Sequence, residues 1–516
     1  MKDPALLLLA LGLIASDPGV ATQSGTPRSA TAAAQTNAAA QTNAAQSGTP
    51  LSGAFFPCQL ENPVHLTVVQ AECTVLSVPE NPSAPQGRHI DLKIARVPAV
   101  NRRKQADPVF VLAGGPGMAA SVFYAGVAPF FERIHRDRDI VLVDQRGTGG
   151  SNALTCTQTD DDLYRASDAE LVSMTRRCLT DLSHRADVAL YTTSVAVRDL
   201  DLVRSALHYE QINLYAVSYG TRMAQHYLRH YGRHVRSLIL DGVVPPQRAL
   251  GPDIALAAES ALLRILARCR DQPSCAGPFG DPAQAYHDLR EQLQADAVPV
   301  TLPDPTSGQP TRLEFSSYHF ATVLRLASYT SEQAALLPWA LHAADRSRNF
   351  GPLAAQFLLV NRAYGDAVAY GMHNTVVCSE DVPFFDPRSL DRRKLEETYL
   401  GATQVDGLTN ICAVWPRGPV DADFHAPLRS DVPTLLLSGS DDPATPPAYA
   451  EEAGRGLTHS LQIVLSGFGH GQLTAPCMDR VMAQFLDRGS VARLDTACTR
   501  AARPMPFFTT INGPAP

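Results

Sequence analysis

Short, predominantly apolar runs recur along the chain, and each stops at a glycine-rich or acidic turn. Residues 109–112, 140–143, 212–217, 235–240, 434–437 and 461–465 are runs of this kind, with the length expected of strands buried on both faces of a parallel sheet. Upstream, residues 68–96 read as two strands joined by a Pro/Ser/Gly turn. Residues 194–207 and 221–231 carry apolar positions at helical spacing. This alternation of strand and helix predicts a doubly wound α/β fold with a mostly parallel sheet. After Pro245-Pro246 the rhythm stops. Residues 247–428 read mainly as amphipathic helices, among them 254–270, 283–295 and 331–343, broken by proline-rich turns. The expectation is a large helical cap, residues 247–428, inserted between two parts of one core, residues 54–246 and 429–516. A separate second domain would leave the last strands with no sheet to join.

Composition narrows the class. At 516 residues with 45% hydrophobic content, the chain exceeds the roughly 250–300 residues that one core usually serves. A net charge of -7 without a long basic run points away from nucleic acid and from an anionic membrane surface. Near the N-terminus an apolar run, residues 5–15, follows Lys2. It is shorter than the ~20 residues that span a bilayer and suits a signal peptide, placed at residues 1–21. Residues 22–53 are an Ala/Thr/Gln/Ser/Gly tract with internal repeats, too poor in apolar area to offset ordering entropy, and are expected to form a flexible leader.

The ten cysteines all lie beyond that leader and fall into five neighbouring pairs. Connectivity does not follow from sequence alone, but neighbouring pairing predicts Cys58–Cys73, Cys156–Cys178, Cys269–Cys275, Cys378–Cys412 and Cys477–Cys498. The competing use, zinc, is disfavoured because no C-x2-C pair is present. A signal peptide and disulfides together predict a secreted or periplasmic bacterial protein, with no integral membrane segment once the signal is removed.

The run at 212–217 enters Ala216-Val217-Ser218-Tyr219-Gly220 and then a helix. Small residues two before and two after a serine allow a strained nucleophile elbow, here with Ser218 as nucleophile. Alanine in place of the first glycine departs from the usual motif. A serine hydroxyl needs a base, and the base needs an acid to hold its tautomer. The order Ser, Asp, His is met by Asp442, in the acidic loop after 434–437, and by His470, framed by glycines after 461–465. Asp441 competes with Asp442 for the acid, and Asp241 is a more distant alternative. Gly114-Gly115-Pro116-Gly117, at the end of 109–112, reads either as an ordinary turn or as an oxyanion hole. In the second reading the donors are the N–H groups of Gly115 and Tyr219.

Gly114-Gly115-Pro116-Gly117, Asp144-Gln145-Arg146-Gly147-Thr148-Gly149-Gly150-Ser151, Ser218-Tyr219-Gly220-Thr221-Arg222, Asp442-Pro443-Ala444-Thr445-Pro446 and Gly469-His470-Gly471 form a set. Taken together they resemble the α/β-hydrolase peptidases that include prolyl aminopeptidase and the secreted tripeptidyl aminopeptidases. Ala113 stands where prolyl aminopeptidases usually have histidine, which favours the tripeptidyl branch. The resemblance implies a serine exopeptidase acting on peptides with a free N-terminus, without metal or organic cofactor. It also implies cap acids that hold the substrate ammonium, for which Glu380, Asp381 and Glu259 are the candidates. Two rivals remain: a secreted carboxylesterase or lipase with the same triad, and a hydrolase-fold protein that binds without turnover.

Overall fold

The computed structural model describes residues 51, 53–62, 67–157, 167–365, 367–386, 388, 390–510 and 512–514. The expected signal peptide and nearly all of the leader lie outside the described residues.

Eleven strands are present among the described residues: β1 (Phe56–Glu61), β2 (Val68–Pro79), β3 (His89–Val97), β4 (Val109–Leu112), β5 (Ile140–Val143), β6 (Ile212–Val217), β7 (Val235–Asp241), β8 (Val298–Pro303), β9 (Pro310–Phe315), β10 (Thr434–Gly439) and β11 (Ser460–Leu465). Nine of them form one sheet in the order β1-β2-β3-β5-β4-β6-β7-β10-β11. The first three strands run antiparallel, and every pairing from β5 to β11 is parallel. The fold is thus an α/β hydrolase fold with a mostly parallel central sheet.

Continuous apolar strands are needed because both sheet faces are covered. In β6, Leu214 and Ala216 enter the core on one face, while Tyr215 and Val217 enter the core on the other. Phe110 and Leu112 of β4 alternate with Val109 and Val111 in the same way.

Between β7 and β10 the chain leaves the sheet. The helices Ile254–Arg270, Pro282–Ala295, Ser317–Ala327, Leu337–Ser347 and Gly351–Gly365 gather around a separate core that includes Leu262, Tyr286, Phe320, Leu341 and Phe357. The segment read as one helix over 331–343 is two, Ser331–Ala334 and Leu337–Ser347, with Pro338 in the first turn of the second. Proline there lacks a donor that the first turn does not use. The antiparallel pair β8/β9 is an addition to the all-helical expectation. Later in the insertion, Met372, Val376, Cys378, Cys412 and Trp415 pack into the sheet's own core, so this part belongs with the sheet rather than with the helices before it.

Disulfides join Cys58–Cys73, Cys156–Cys178, Cys269–Cys275, Cys378–Cys412 and Cys477–Cys498, the five neighbouring pairs expected. Among the described residues no helix is long and apolar enough to cross a membrane.

Candidate active site

Ser218 sits between β6 and the helix Tyr219–Tyr231 with φ 57° and ψ -128°, a backbone region that non-glycine residues occupy only under constraint. Its amide donates to the Asp241 carbonyl oxygen at 2.9 Å, and its own carbonyl accepts from Thr221 N at 2.8 Å. The turn is also closed sterically. A Cβ on Gly220 would lie 2.6 Å from the carbonyl oxygens of Leu112 and Ala113, so only glycine lets the helix start this close to the end of β4. A Cβ on Gly114 would lie 2.9 Å from Ser218 Cβ and 3.5 Å from its Oγ, which places the glycine loop directly against the serine side chain. The Tyr219 amide is in the first turn of its helix, where N–H groups have no intrahelical acceptor.

His470 and Asp442 meet at the ends of β11 and β10. His470 Nδ1 donates to Asp442 Oδ2 at 2.9 Å and lies 3.1 Å from Oδ1. This bond puts the proton on Nδ1 and leaves Nε2 free to act as a base. Asp442 is fully buried and also accepts from Ala444 N, Thr445 N and Thr445 Oγ1, each at 2.8 Å. Those donors hold the carboxylate aimed at the ring. Burial alone pulls the His470 pKa down, but the charge and hydrogen bond of Asp442 outweigh it, and the net shift is upward. Asp441 points elsewhere: its carboxylate takes Ser440 Oγ at 2.9 Å and Arg264 Nε at 3.4 Å.

Asp241 has a different place. Its carboxylate accepts from Gln472 N at 2.7 Å, Leu473 N at 3.0 Å and Tyr215 Oη at 2.9 Å. It ties the histidine loop to the strand beside the elbow, and burial raises its pKa to about 6. His470 is also held by the insertion: its amide donates to the Tyr329 carbonyl at 2.7 Å, and its ring meets that of Tyr329 edge to face at 5.0 Å. A side chain on Gly469 would collide with the Ser328 and Tyr329 carbonyls. Neither Asp241 as a tether nor Tyr329 was readable from local sequence pattern.

The three cap acids are placed unequally. Glu380, at the end of the helix Tyr370–Glu380, is fully buried. It accepts from Thr193 N at 2.6 Å and Thr193 Oγ1 at 2.8 Å. Thr193 Oγ1 in turn lies 2.6 Å from Tyr219 Oη, which also accepts from Gln145 Nε2 at 3.1 Å. The acid is therefore linked to the residue after Ser218. Burial, only partly offset by Arg222, raises its pKa to about 8. Asp381 pairs with Arg222 at 2.8 Å and accepts from Leu250 N at 2.7 Å, and its buried Oδ2 has no hydrogen-bond partner. Glu259 lies in the separate helical core, accepting from Tyr286 Oη at 2.8 Å and Tyr399 N at 3.0 Å. The structure thus brings Glu380 and Asp381 towards the elbow helix and engages Glu259 elsewhere.

The Asp144–Ser151 loop scaffolds rather than reacts. Asp144 accepts from Ser121 N at 2.9 Å and Gly150 N at 3.0 Å. Arg146, wholly buried, forms a two-pronged pair with Asp199 at 2.6 and 2.8 Å.

Comparison with known proteins identifies the family. The family described as alpha/beta hydrolase fold matches residues 107–265, and the family described as TAP-like protein matches residues 397–498. Serine protease Hip1 of Mycobacterium tuberculosis is 27% identical over 484 residues, covering 86% of this chain and 90% of that protein. Carboxylesterase B of the same organism is 31% identical over 462 residues, covering 81% and 84%. Tripeptidyl aminopeptidase of Streptomyces coelicolor is 26% identical over 474 residues, covering 84% of each.

Proposed function

The chain belongs to the TAP-like branch of the α/β-hydrolase family and is a serine hydrolase; from that premise we propose that it is an exported serine exopeptidase, releasing short peptides or single residues from free N-termini. The observation that carries the reading is the buried acid pair Glu380–Asp381 behind the elbow helix. One carboxyl is joined to Tyr219 through Thr193, and the other keeps a buried oxygen without a donor. Buried acid without a full set of donors favours a cationic partner, and a substrate ammonium is the cation an aminopeptidase brings.

In this reading Ser218 Oγ attacks the scissile carbonyl while His470 Nε2 takes its proton, and Asp442 stabilises the resulting imidazolium. The amides of Gly115 and Tyr219 receive the oxyanion. His470 then returns the proton to the leaving amine, and water, activated by the same histidine, hydrolyses the acyl-enzyme. The helices around the separate core act as a cap, with Tyr329 steadying the base. The five disulfides fit the oxidising compartment that an exported enzyme meets.

Carboxylesterase B among the relatives favours a second reading, an esterase with the same triad. Rates on a free-amine tripeptide amide, its N-acetylated twin, a prolyl amide and a p-nitrophenyl ester, with Ser218→Ala as control, separate the two. Fast cleavage of the free tripeptide, lost on acetylation, is expected, with Glu380→Gln raising KM for free-amine substrates and sparing the ester. Ester turnover alone would leave the esterase.

A further inference from the structure

Further along the elbow helix from the serine, four side chains converge that the proposed chemistry does not use. His226 and His230 are four residues apart on the helix Tyr219–Tyr231, so they share one face. Their rings approach edge to face at 4.5 Å. Opposite them stands the segment that returns to β10, carrying Asp421 and Asp423. His226 Nε2 lies 2.9 Å from Asp421 Oδ2, His230 Nε2 lies 3.6 Å from the same oxygen, and His230 Nε2 lies 3.7 Å from Asp423 Oδ1. One ligand atom from each of His226, His230 and Asp421 falls within 4.8 Å of the others.

We propose that His226, His230 and Asp421, with Asp423 beside His230 at the exposed edge, form a binding site for a divalent transition metal of the zinc class. The separations carry the argument. The two contacts of His230, at 3.6 and 3.7 Å, are too long for hydrogen bonds and become ion pairs only when the ring is protonated, so the neutral ring has no hydrogen-bond acceptor there. Bonds of ~2.0–2.2 Å at tetrahedral angles set ligand atoms roughly 3.3–3.5 Å apart. Two of the three separations are already within a few tenths of an ångström of that spacing. The third, the short pair between His226 and Asp421, opens by about half an ångström when a cation replaces its proton.

Chemistry agrees with geometry. Two imidazoles with two carboxylates are a mixed N/O set suited to zinc and its neighbours rather than to calcium or magnesium, which take oxygen. Two neutral rings and two carboxylates balance the charge of one divalent ion. The nearby arginines leave the ligating oxygens clear: Arg198 binds Asp421 through Oδ1 at 3.1 Å, and Arg229 approaches Asp423 through Oδ2 at 4.0 Å. Ser194 Oγ accepts from Asp421 N at 3.0 Å and makes only a long contact of 3.4 Å with His226 Nε2, the one hydrogen bond besides that of Asp421 that a metal on this nitrogen would displace. His226 is buried, with 2% of its side chain exposed, whereas His230 and Asp423 are 34% and 48% exposed. The site is therefore anchored within the fold and open to solvent for entry.

Its role follows from its place. Eight and twelve residues beyond Ser218, the histidines stand roughly 12 and 18 Å along the helix from the serine, too far to act on a substrate there. The ion clips the segment leading into β10 onto the elbow helix. A metal bound only by the folded chain stabilises it by mass action.

Untagged full-length protein, stripped with a chelator, desalted, equilibrated with zinc at neutral pH and desalted again, tests the site without reference to peptidase or esterase activity. We expect close to one zinc retained per chain by elemental analysis and a zinc-dependent rise in thermal midpoint. Cobalt in place of zinc is expected to give the intense visible band of a four-coordinate N/O site. His230→Ala and, separately, the exposed Asp423→Asn lower retention, His230→Ala to background. No zinc retained by the wild type, retention unchanged in His230→Ala, or a weak six-coordinate cobalt spectrum would each overturn the proposal.

Discussion

Asp442 does two things for His470: it fixes the tautomer that leaves Nε2 unprotonated, and it raises the ring's pKa against the opposing pull of burial. The two effects make separable predictions for Asp442→Asn. Loss of the correct tautomer lowers kcat by on the order of 10⁴-fold. The base must be neutral to work, so wild-type kcat/KM falls on acidification through a pKa above the usual histidine value. Removing the carboxylate charge leaves the lowering contributions of burial and Arg325 against the smaller raising one of Asp241, and the acid limb of the pH profile moves to lower pH. A limb that stays in place while kcat drops would show that Asp442 orients the ring without setting its charge. At this scale the serine, acid and histidine were legible because each lies in a loop whose small residues announce it. Asp442 was preferred over Asp441 from the sequence, and the coordinates show why the two differ, since adjacent side chains leave a loop in different directions. Tyr329, whose carbonyl holds the His470 amide, left no local mark. His226 and His230 were visible as a pair, but the acid beside His226 comes from 195 residues away, so no spacing rule connects them.

The elbow is an element whose position depends on a missing atom. Alanine is ordinarily the better helix former, by about 0.8–1.0 kcal/mol over glycine, so Gly220→Ala in the first turn of its helix would stabilise it in isolation. Here the added Cβ would meet two carbonyl oxygens of the β4 end at 2.6 Å, and backbone cannot yield as a flexible side chain would. The sign reverses. We expect Gly220→Ala to destabilise by about 1–3 kcal/mol, as overpacking does, and to lose most hydrolytic activity because the helix shift carries the Tyr219 amide with it. Urea denaturation with a parallel ester assay checks this, and unchanged stability would mean that the helix has room to move. Strands β4 to β7 and β10 were legible because burial on both faces makes their runs predominantly apolar, and β11 by its apolar Ile463-Val464-Leu465, although at the sheet edge it is only partly buried. β1 and the β8/β9 pair were missed for the complementary reason. In β1 only Leu60 is buried, and β8 carries prolines at Pro299 and Pro303, so neither presents a clean pattern.

The whole molecule divides differently from the division that the strand–helix rhythm suggested. Helices from Ile254–Arg270 to Gly351–Gly365 close their own core, whereas Tyr370–Glu380, the C-terminal end of Thr403–Cys412 and Trp415 belong to the sheet's core. Amphipathic periodicity identifies a helix but not the layer it packs on, which is why one continuous cap was the natural reading. Every disulfide closes a loop of 34 residues or fewer, and none joins the separate helical core to the sheet. Their docking rests on non-covalent contacts, such as Tyr329 on His470, Arg264 on Asp441 and Arg248 on Glu452, the last at 2.9 Å. The two arginine pairs are partly exposed and contribute little each. A unit with its own core and weak docking opens at a lower free energy than the sheet. Hydrogen exchange read by mass spectrometry at increasing sub-denaturing urea is therefore expected to show peptides within 258–357 taking up deuterium first. Peptides from 369–380 and 408–415, whose apolar side chains pack on the sheet, are expected to follow the sheet strands 212–217 and 434–439 despite lying within the same insertion. Because His470 leans on Tyr329, hydrolysis falls with the first group. Simultaneous exchange of all these peptides would mean that the docking contacts are strong enough to make one cooperative unit of both cores.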